Sequence, residues 1–237
     1  LSTGSSGGAL INLKGEVIGL TTSLTAGVEY ERAAGFAIAI DRLFHRVTEA
    51  LKKGRLPEYG FLGIQPDDLS PEERRQLSGA RVSMVFPGWP GDAAGLEEED
   101  IITKVGARPI SSRKDLFREL SVVPPGKSVE LSVMRGGVFG RRTVQLTAKM
   151  SKKFVTASSR GYALEQPADW RGMSVEYTTA LAPTRSRLTP AFDEVQPAVS
   201  AFKVLPGSPA WNAGVRPGTA ILAVEDQAIE TPEAFIQ

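Results

Sequence analysis

The chain has 237 residues, 41% of them hydrophobic and 23% charged, with a formal net charge of +1 and no cysteine. That length suits one or two domains, and the composition suits packed cores rather than disorder. The charge balance leaves no electrostatic footprint for nucleic acid or an anionic membrane surface. The missing cysteines exclude disulfides, thiol nucleophiles and cysteine-ligated metals. Glycine (24) and proline (16) are plentiful without a period, which favours turns and short strands over a helical bundle. No apolar run approaches the ~18 residues of a membrane span. The start, Leu1-Ser2-Thr3-Gly4, has neither an initiator Met nor a leader pattern and reads as a cut edge.

In chain order, Ala9-Leu10-Ile11 and Val17-Ile18-Gly19-Leu20 predict two short strands joined by a turn at Lys14-Gly15-Glu16. Gly35–Ile40 predicts a buried strand. Asp41 then predicts the N-cap of a helix carrying Leu43, Phe44, Val47 and Leu51, which stops near Gly54 with Pro57 just beyond. A domain boundary falls near residues 54–58. Further on, Ser70-Pro71-Glu72-Glu73 reads as a helix start. Val82–Phe86 and Ile101–Val105 read as strands, and Ser112–Leu120 as a helix with Leu116 and Leu120 on one face. The alternation from Val129 to Met134, a turn at Arg135-Gly136-Gly137 and a return through Val144 and Leu146 predict a hairpin. Residues 151–169 lose the pattern and read as linker.

The chain also contains an internal repeat. With Val204 laid on Val85, the two stretches align without a gap as far as Gln237 and Arg118. Val204, Pro206, Gly207, Pro209, Ala213, Gly214, Ile221, Val224 and Ile229 then match Val85, Pro87, Gly88, Pro90, Ala94, Gly95, Ile102, Val105 and Ile110. The shared prolines and glycines fix turn geometry that other residues adopt only at a cost, so the chain holds two copies of one module.

Gly4-Ser5-Ser6-Gly7-Gly8 has the composition of a nucleophile loop. Its glycines permit a tight turn that exposes the Ser6 hydroxyl and lets backbone N–H groups converge on an oxyanion. The same residues fit G-x-S-x-G, but that elbow demands a helix straight after the serine, whereas Ala9–Thr22 reads as a β-hairpin. A Gly-Ser cluster is also a common linker or turn, and the following hairpin is what favours the catalytic reading.

Residues 4–40 resemble the end of the trypsin-like protease domain of the HtrA (Deg) family, whose loop reads Gly-Asn-Ser-Gly-Gly before Ala-Leu. The later Gly-Phe-Ala-Ile-Pro strand of that family matches Gly35-Phe36-Ala37-Ile38, with Ala39 in place of proline. The two repeats resemble PDZ domains. Tyr59-Gly60-Phe61-Leu62-Gly63-Ile64 stands where the family has its carboxylate-binding loop, and Val85-Phe86-Pro87-Gly88-Trp89-Pro90 resembles the phrase V-x-P-G-S-P-A. The resemblance implies a mixed, mostly β fold: the C-terminal part of a trypsin-like β-barrel followed by two PDZ-like domains, the second truncated. The implied boundaries are 1–56, 57–150, a linker over 151–169, and 170–237.

By the same resemblance, the function is that of an HtrA-type serine endopeptidase acting on unfolded or damaged proteins, with PDZ domains binding peptide C-termini. Ser6 is the expected nucleophile. Gly4 and Ser6, through backbone N–H, are the expected oxyanion hole, with Ser5 holding the loop between them. Thr21, Thr22, Ser23 and Leu24 are the expected substrate-pairing edge. Leu62, Gly63 and Ile64 would hold a peptide carboxylate, and Phe61, Ile64, Leu116 and Leu120 would line the pocket for the last side chain. The resemblance also implies a homo-oligomer, trimeric or larger, in the periplasm or envelope. No cofactor, metal, nucleic acid or membrane span is expected. The competing readings are a non-catalytic PDZ adaptor or pseudoprotease, and an unrelated G-x-S-x-G hydrolase.

Several residues depart from the family pattern. Ser5 replaces the asparagine, and Glu97-Glu98-Glu99-Asp100 replaces a basic-Pro-Gly-Asp turn. In the second repeat, Gly172-Met173-Ser174-Val175 is expected opposite Phe61–Ile64, which places a serine at the loop glycine. His45 reads as an ordinary helical residue and Asp41 as its cap. In trypsin-like proteins the triad runs His, Asp, Ser, so both partners of Ser6 would precede residue 1. Trp89 and Trp211 stand beside Pro-Gly turns, either as exposed contacts or as packing against the turn.

Overall fold

The computed structural model describes residues 3–25, 34–137, 140–154, 169–181 and 198–236. The chain divides into two units, Leu1–Pro57 and Glu58–Gln237.

In the first unit, β1 (Ala9–Ile11), β2 (Val17–Thr25) and β3 (Ala34–Ala39) form an antiparallel sheet in that order. The β1–β2 turn is built by Asn12, whose side-chain oxygen accepts from the N–H of Lys14 at 2.9 Å and of Glu16 at 3.0 Å. That is the local bonding that makes asparagine a turn former. Asp41 caps α1 (Arg42–Lys52), its carboxylate accepting from Phe44 N–H at 3.0 Å. The expected burial of the third strand is corrected: Phe36 and Ile38 are about half exposed. Among the described residues of this unit only Gly19 and Thr21 are buried, because a lone three-stranded sheet has no second layer to bury its faces.

The second unit holds both repeats. The first comprises β4 (Gly60–Phe61), β5 (Ile64–Asp68), β6 (Ala80–Val85), α2 (Pro90–Ala93), β7 (Ile101–Val105), β8 (Arg108–Pro109), α3 (Arg113–Val122), β9 (Ser128–Gly137), β10 (Gly140–Lys149) and β11 (Ser151–Lys152). Its sheet runs β10-β9-β7-β6-β5, antiparallel throughout, so β5 is an edge. Alternating residues on these strands send Val82, Ile102, Leu131 and Val133 inward against Leu116 and Leu120 of α3. The second repeat comprises β12 (Met173–Tyr177), β13 (Val199–Val204), α4 (Pro209–Asn212), β14 (Ala220–Ile221), β15 (Ala223–Val224), β16 (Gln227–Ala228) and α5 (Pro232–Ile236). Its sheet runs β12-β13-β14 over a smaller core around Val175, Val199 and Ile229.

Three local expectations are corrected here. The helix read from Ser70 is only a 3-10 turn at Glu73–Arg75. Strand β9 continues through Arg135-Gly136-Gly137, and the connection to β10 lies outside the described residues. Ser151–Lys152, read as linker, pair with Phe61 and Gly60. Lys152 then joins the repeats, its ammonium lying 2.7 Å from Glu58 and 2.6 Å from Glu176. The Ser151 and Thr179 hydroxyls bond at 2.6 Å, and Thr179 Oγ1 donates to the Lys152 carbonyl at 2.6 Å.

Candidate functional site

The Ser6 loop is a compact turn tied to β2. Gly8 N–H donates to the Ser5 carbonyl at 3.0 Å, and Gly7 N–H donates to the Thr21 carbonyl at 2.7 Å. A Cβ on Gly8 would lie 3.0 Å from the Ser5 carbonyl oxygen, so the closeness of the turn favours glycine there. The buried Thr21 hydroxyl sits between the Ser5 and Gly8 carbonyls, 3.0 Å from the latter. A hairpin, not a helix, follows Gly8, which removes the α/β-hydrolase elbow.

Ser6 itself is exposed and donates its hydroxyl proton to the Thr22 carbonyl at 2.8 Å. Gly4 and Ser5 belong to a 3-10 turn at Thr3–Ser5, whose i to i+3 pattern aims the Ser6 N–H at the Thr3 carbonyl. His45 is exposed on α1, its ring edge-on to Phe44. The substrate-edge expectation is corrected at Thr21. Its N–H and carbonyl are both taken by the Ser6 loop, and its other side pairs with Ala37, so β2 is the central strand there. Ser23 and Leu24 pair with Phe36 and Gly35 of β3.

The carboxylate loop of the first repeat is Phe61–Ile64. Gly63 has φ +74, and a Cβ there would lie 2.3 Å from Trp89 Cβ, so only glycine fits. Leu62 and Gly63 fix the loop through their carbonyls, which accept from Gly91 N–H at 2.6 Å and Phe86 N–H at 3.0 Å. Among the described residues, no backbone carbonyl accepts from the N–H of Leu62 or Gly63. Because Phe86 N–H bonds Gly63 across the Ile64–Val85 pair, that pair is a non-hydrogen-bonded one, and Ile64 N–H points away from β6. Three successive N–H groups thus have no backbone acceptor among the described residues, beside an open strand edge. Such an array of amides is an anion cradle.

The side-chain wall of this groove differs from expectation. Leu116 has no exposed surface and Leu120 only 6%, so both belong to the core, together with Leu62. The flank of α3 toward β5 is marked by Arg113, whose N–H donates to Asp68 Oδ1 at 2.8 Å. Phe117, one turn beyond Arg113 on that flank, is 46% exposed. The helical period picks out the apolar stripe, which is the core stripe; the sequence signal for the groove flank is the aromatic residue four positions after Arg113.

The second repeat is realigned by its hydrogen bonds. Leu205 N–H donates to the Gly172 carbonyl at 2.8 Å and Ala210 N–H to the Arg171 carbonyl at 3.2 Å, as Phe86 and Gly91 do to Gly63 and Leu62. A Cβ on Gly172 (φ +79) would lie 2.2 Å from Ser208 Cβ. Gly172 therefore takes the place of Gly63, and the expected serine at the loop glycine is corrected: Trp170-Arg171-Gly172-Met173 is the equivalent loop. It is closed, however. Arg171 (φ +53) and Gly172 make a tight turn in which Trp170 N–H donates to the Met173 carbonyl at 2.8 Å and Met173 N–H donates to the Trp170 carbonyl at 2.9 Å.

Among the described residues, no group of three or more His, Asp or Glu side chains is placed to hold a metal ion, and no helix is long and apolar enough to cross a membrane.

Residues 60–148 match the PDZ domain family. A probable periplasmic serine endoprotease, DegP-like, of Chlamydia muridarum is 29% identical over 242 aligned residues, covering all of this chain and 46% of that protein. The periplasmic serine endoprotease DegP of Escherichia coli K12 is 32% identical over 142 residues, 58% of this chain and 30% of its own. The solved HtrA-type protease AlgW with a decapeptide is 25% identical with a TM-score of 0.49, over 66% of this chain and 48% of that one. The chain spans about half the length of the curated relatives that align with all of it. The PDZ domain match and these relatives agree in making the chain similar to proteases of the HtrA (Deg) family.

Proposed function

We propose that the chain is part of a periplasmic serine endopeptidase of HtrA type that acts on unfolded or damaged proteins, and that its first PDZ repeat captures the free C-terminus of an extended peptide. The single observation that carries the peptide-binding reading is the set of N–H groups on Leu62, Gly63 and Ile64, open beside edge strand β5. A carboxylate accepts from those groups, and the peptide backbone adds to β5 by strand addition. The ladder is irregular at Gln65/Pro66, and Pro66 lacks a donor, which keeps the added strand short.

In the catalytic reading, Ser6 Oγ attacks the scissile carbonyl while an imidazole takes its proton. Gly4 and Ser6 N–H groups hold the oxyanion, the imidazolium gives its proton to the leaving amine as the C–N bond breaks, and water then releases the acyl group from Ser6. Ser23 and Leu24, past the point where the Ser6 loop occupies β2, would pair with the substrate backbone. These roles require the 3-10 turn at Thr3–Ser5 to open so that its amides converge. The homologues' names support the periplasmic protease reading, and a trimeric or larger assembly goes with it. A non-catalytic adaptor is favoured by one observation: Ser6 is held by the Thr22 carbonyl.

Calorimetric titration of the 237-residue chain with a peptide ending in an apolar residue, and with its amidated twin, tests the binding reading. The free acid is expected to bind at least about tenfold more tightly; equal affinities refute carboxylate capture. Joining this sequence to a trypsin-like first barrel that carries the His and Asp, then assaying casein cleavage with and without Ser6→Ala, separates protease from adaptor.

A further inference from the structure

Thr21 carries a hydroxyl that the turn around Ser6 does not need for its own hydrogen bonds. The Ser5 carbonyl already accepts from Gly8 N–H at 3.0 Å, and the Gly8 carbonyl from Thr21 N–H at 2.9 Å. The hydroxyl nevertheless donates to the Ser5 carbonyl and stands 3.0 Å from the Gly8 carbonyl. Thr21 is only 6% exposed, so the hydroxyl has been taken out of water to sit there. A valine would fill the same strand position with no polar group to desolvate. A buried polar group that the fold can do without points to a demand other than stability.

The two donors to the Ser5 carbonyl differ in what carries them. Gly8 belongs to the turn and moves with it. Thr21 belongs to β2 and is paired with Ala37 of β3, so its hydroxyl ties this carbonyl to the sheet. The Ser5 carbonyl and the Ser6 N–H share one peptide plane. That peptide is trans, so the two groups point in opposite directions. Fixing the carbonyl against β2 therefore fixes the line along which the Ser6 N–H leaves the loop. The 3-10 turn at Thr3–Ser5 can open by rotation of the Thr3–Gly4 peptide, while the Ser5–Ser6 peptide keeps both of its anchors.

We propose that Thr21 is a positioning residue for the reaction at Ser6, its hydroxyl holding the Ser5–Ser6 peptide so that the Ser6 N–H stays aimed at the oxyanion. This rests on the catalytic reading above. An oxyanion donor works by being in place before charge develops, and losing one outright costs about a hundred- to a thousandfold in rate. Losing the tie misaims the donor without removing it, so the expected loss is smaller, about tenfold.

The test uses this sequence joined to the first barrel, as above, with a chromogenic peptide substrate and the variants Thr21→Val and Thr21→Ser. Valine keeps the branched shape and leaves both carbonyls their backbone donors, whereas serine keeps the hydroxyl. Thr21→Val is expected to lower kcat about tenfold with KM within about twofold of the parent, and Thr21→Ser to restore most of kcat. The melting temperature of Thr21→Val should stay within about 3 °C of the parent. Unchanged kcat in Thr21→Val, an equal loss in Thr21→Ser, or a larger fall in melting temperature overturns the positioning role, while cleavage that depends on Ser6 keeps the catalytic reading. If the joined parent shows no cleavage that Ser6→Ala abolishes, the catalytic reading fails and the role of Thr21 with it.

Discussion

Replacing Asp100 by alanine should destabilise the first repeat more than any other change on its surface turns. Asp100 is only 1% exposed, yet it carries a carboxylate. Arg135 grips it side-on, with Nε 2.8 Å from one oxygen and Nη2 2.7 Å from the other. The Glu97 N–H also donates to it, at 2.9 Å. The guanidinium is further held by Glu97 at 2.5 Å and by the Gly95 carbonyl at 2.7 Å, and the hydrogen bonds it donates to Asp100 hold its pKa above the usual arginine value. Breaking a buried ion pair by removing one partner costs about 3–5 kcal/mol, because the other charge stays buried. Arg135 keeps Glu97 and is 15% exposed at its side chain, so the lower end applies. About 3 kcal/mol in a unit of this size lowers the melting temperature by roughly 6–12 °C.

Calorimetric melting of the parent, Asp100→Ala, Arg135→Met and the double variant measures both the loss and the coupling. Removing both partners leaves no orphaned charge, so the double variant should be more stable than Asp100→Ala alone. An Asp100→Ala chain melting within about 1 °C of the parent, or strictly additive losses, would refute the reasoning.

The chain alone is expected to show no casein cleavage, because among the described residues no imidazole or carboxylate bonds to Ser6; turnover abolished by Ser6→Ala would contradict this. Gly63→Ala forces a side chain into φ +74 and against Trp89, and should weaken peptide binding more than tenfold in the same titration. Burial and the nearby carboxylates of Glu233, Glu58 and Glu176 push the Tyr177 hydroxyl well above the ordinary tyrosine range, so alkaline titration at 295 nm should show one of the four tyrosines ionising last. Burial would lower the Lys152 pKa, but the carboxylates of Glu176 and Glu58 outweigh it and hold the ammonium above the ordinary lysine range. With its folded-state value raised, the Lys152 contribution to the contact between repeats is intact below about pH 10 and is lost as pH rises further. Amide exchange at Thr179 and Ser151 should therefore rise above that pH more than neutral-pH behaviour extrapolates; a flat response would refute it. In amide NMR, the free-acid peptide should shift Leu62, Gly63 and Ile64 while leaving Arg171–Met173 in place.

What was legible in the sequence was local chemistry. Asp41 as a cap, Asn12 in its turn and the Pro-Gly frame of the repeats declare themselves through hydrogen-bonding groups and restricted dihedrals within a few residues. The Ser6 loop was legible for the same reason, since its glycines are needed for a turn only five residues long. What was lost depended on partners distant in sequence. Thr21 reads as one more strand residue, and only the return of the loop onto β2 turns its hydroxyl into the tie between Ser5 and Gly8. The loop of the second repeat is not legible in the same way, because the gapless match from Val204 onward does not extend upstream. The residues separating Gly172 from Val204 outnumber those separating Gly63 from Val85, and the hydrogen bonds of Gly172 rather than the spacing identify it.

The two repeats separate the frame of this module from its chemistry. The frame is common to both: a left-handed glycine, a carbonyl pair bonded to the following turn and helix, and proline at the first position of that helix. None of this decides whether an anion is held. The deciding difference is one residue before the glycine. Leu62 has negative φ and leaves Ile64 N–H pointing outward with no turn across it, whereas Arg171 at φ +53 curls the chain so that the matching N–H of Met173 meets the Trp170 carbonyl. A donor already satisfied within its own turn must lose that bond before it can serve a carboxylate, and a net hydrogen bond is worth only about 1 kcal/mol, so exchanging one for another gains little. The same frame thus presents three donors in the first repeat and withholds one in the second, and Arg171, stacked 4.8 Å over Trp170, is held in the conformation that withholds it.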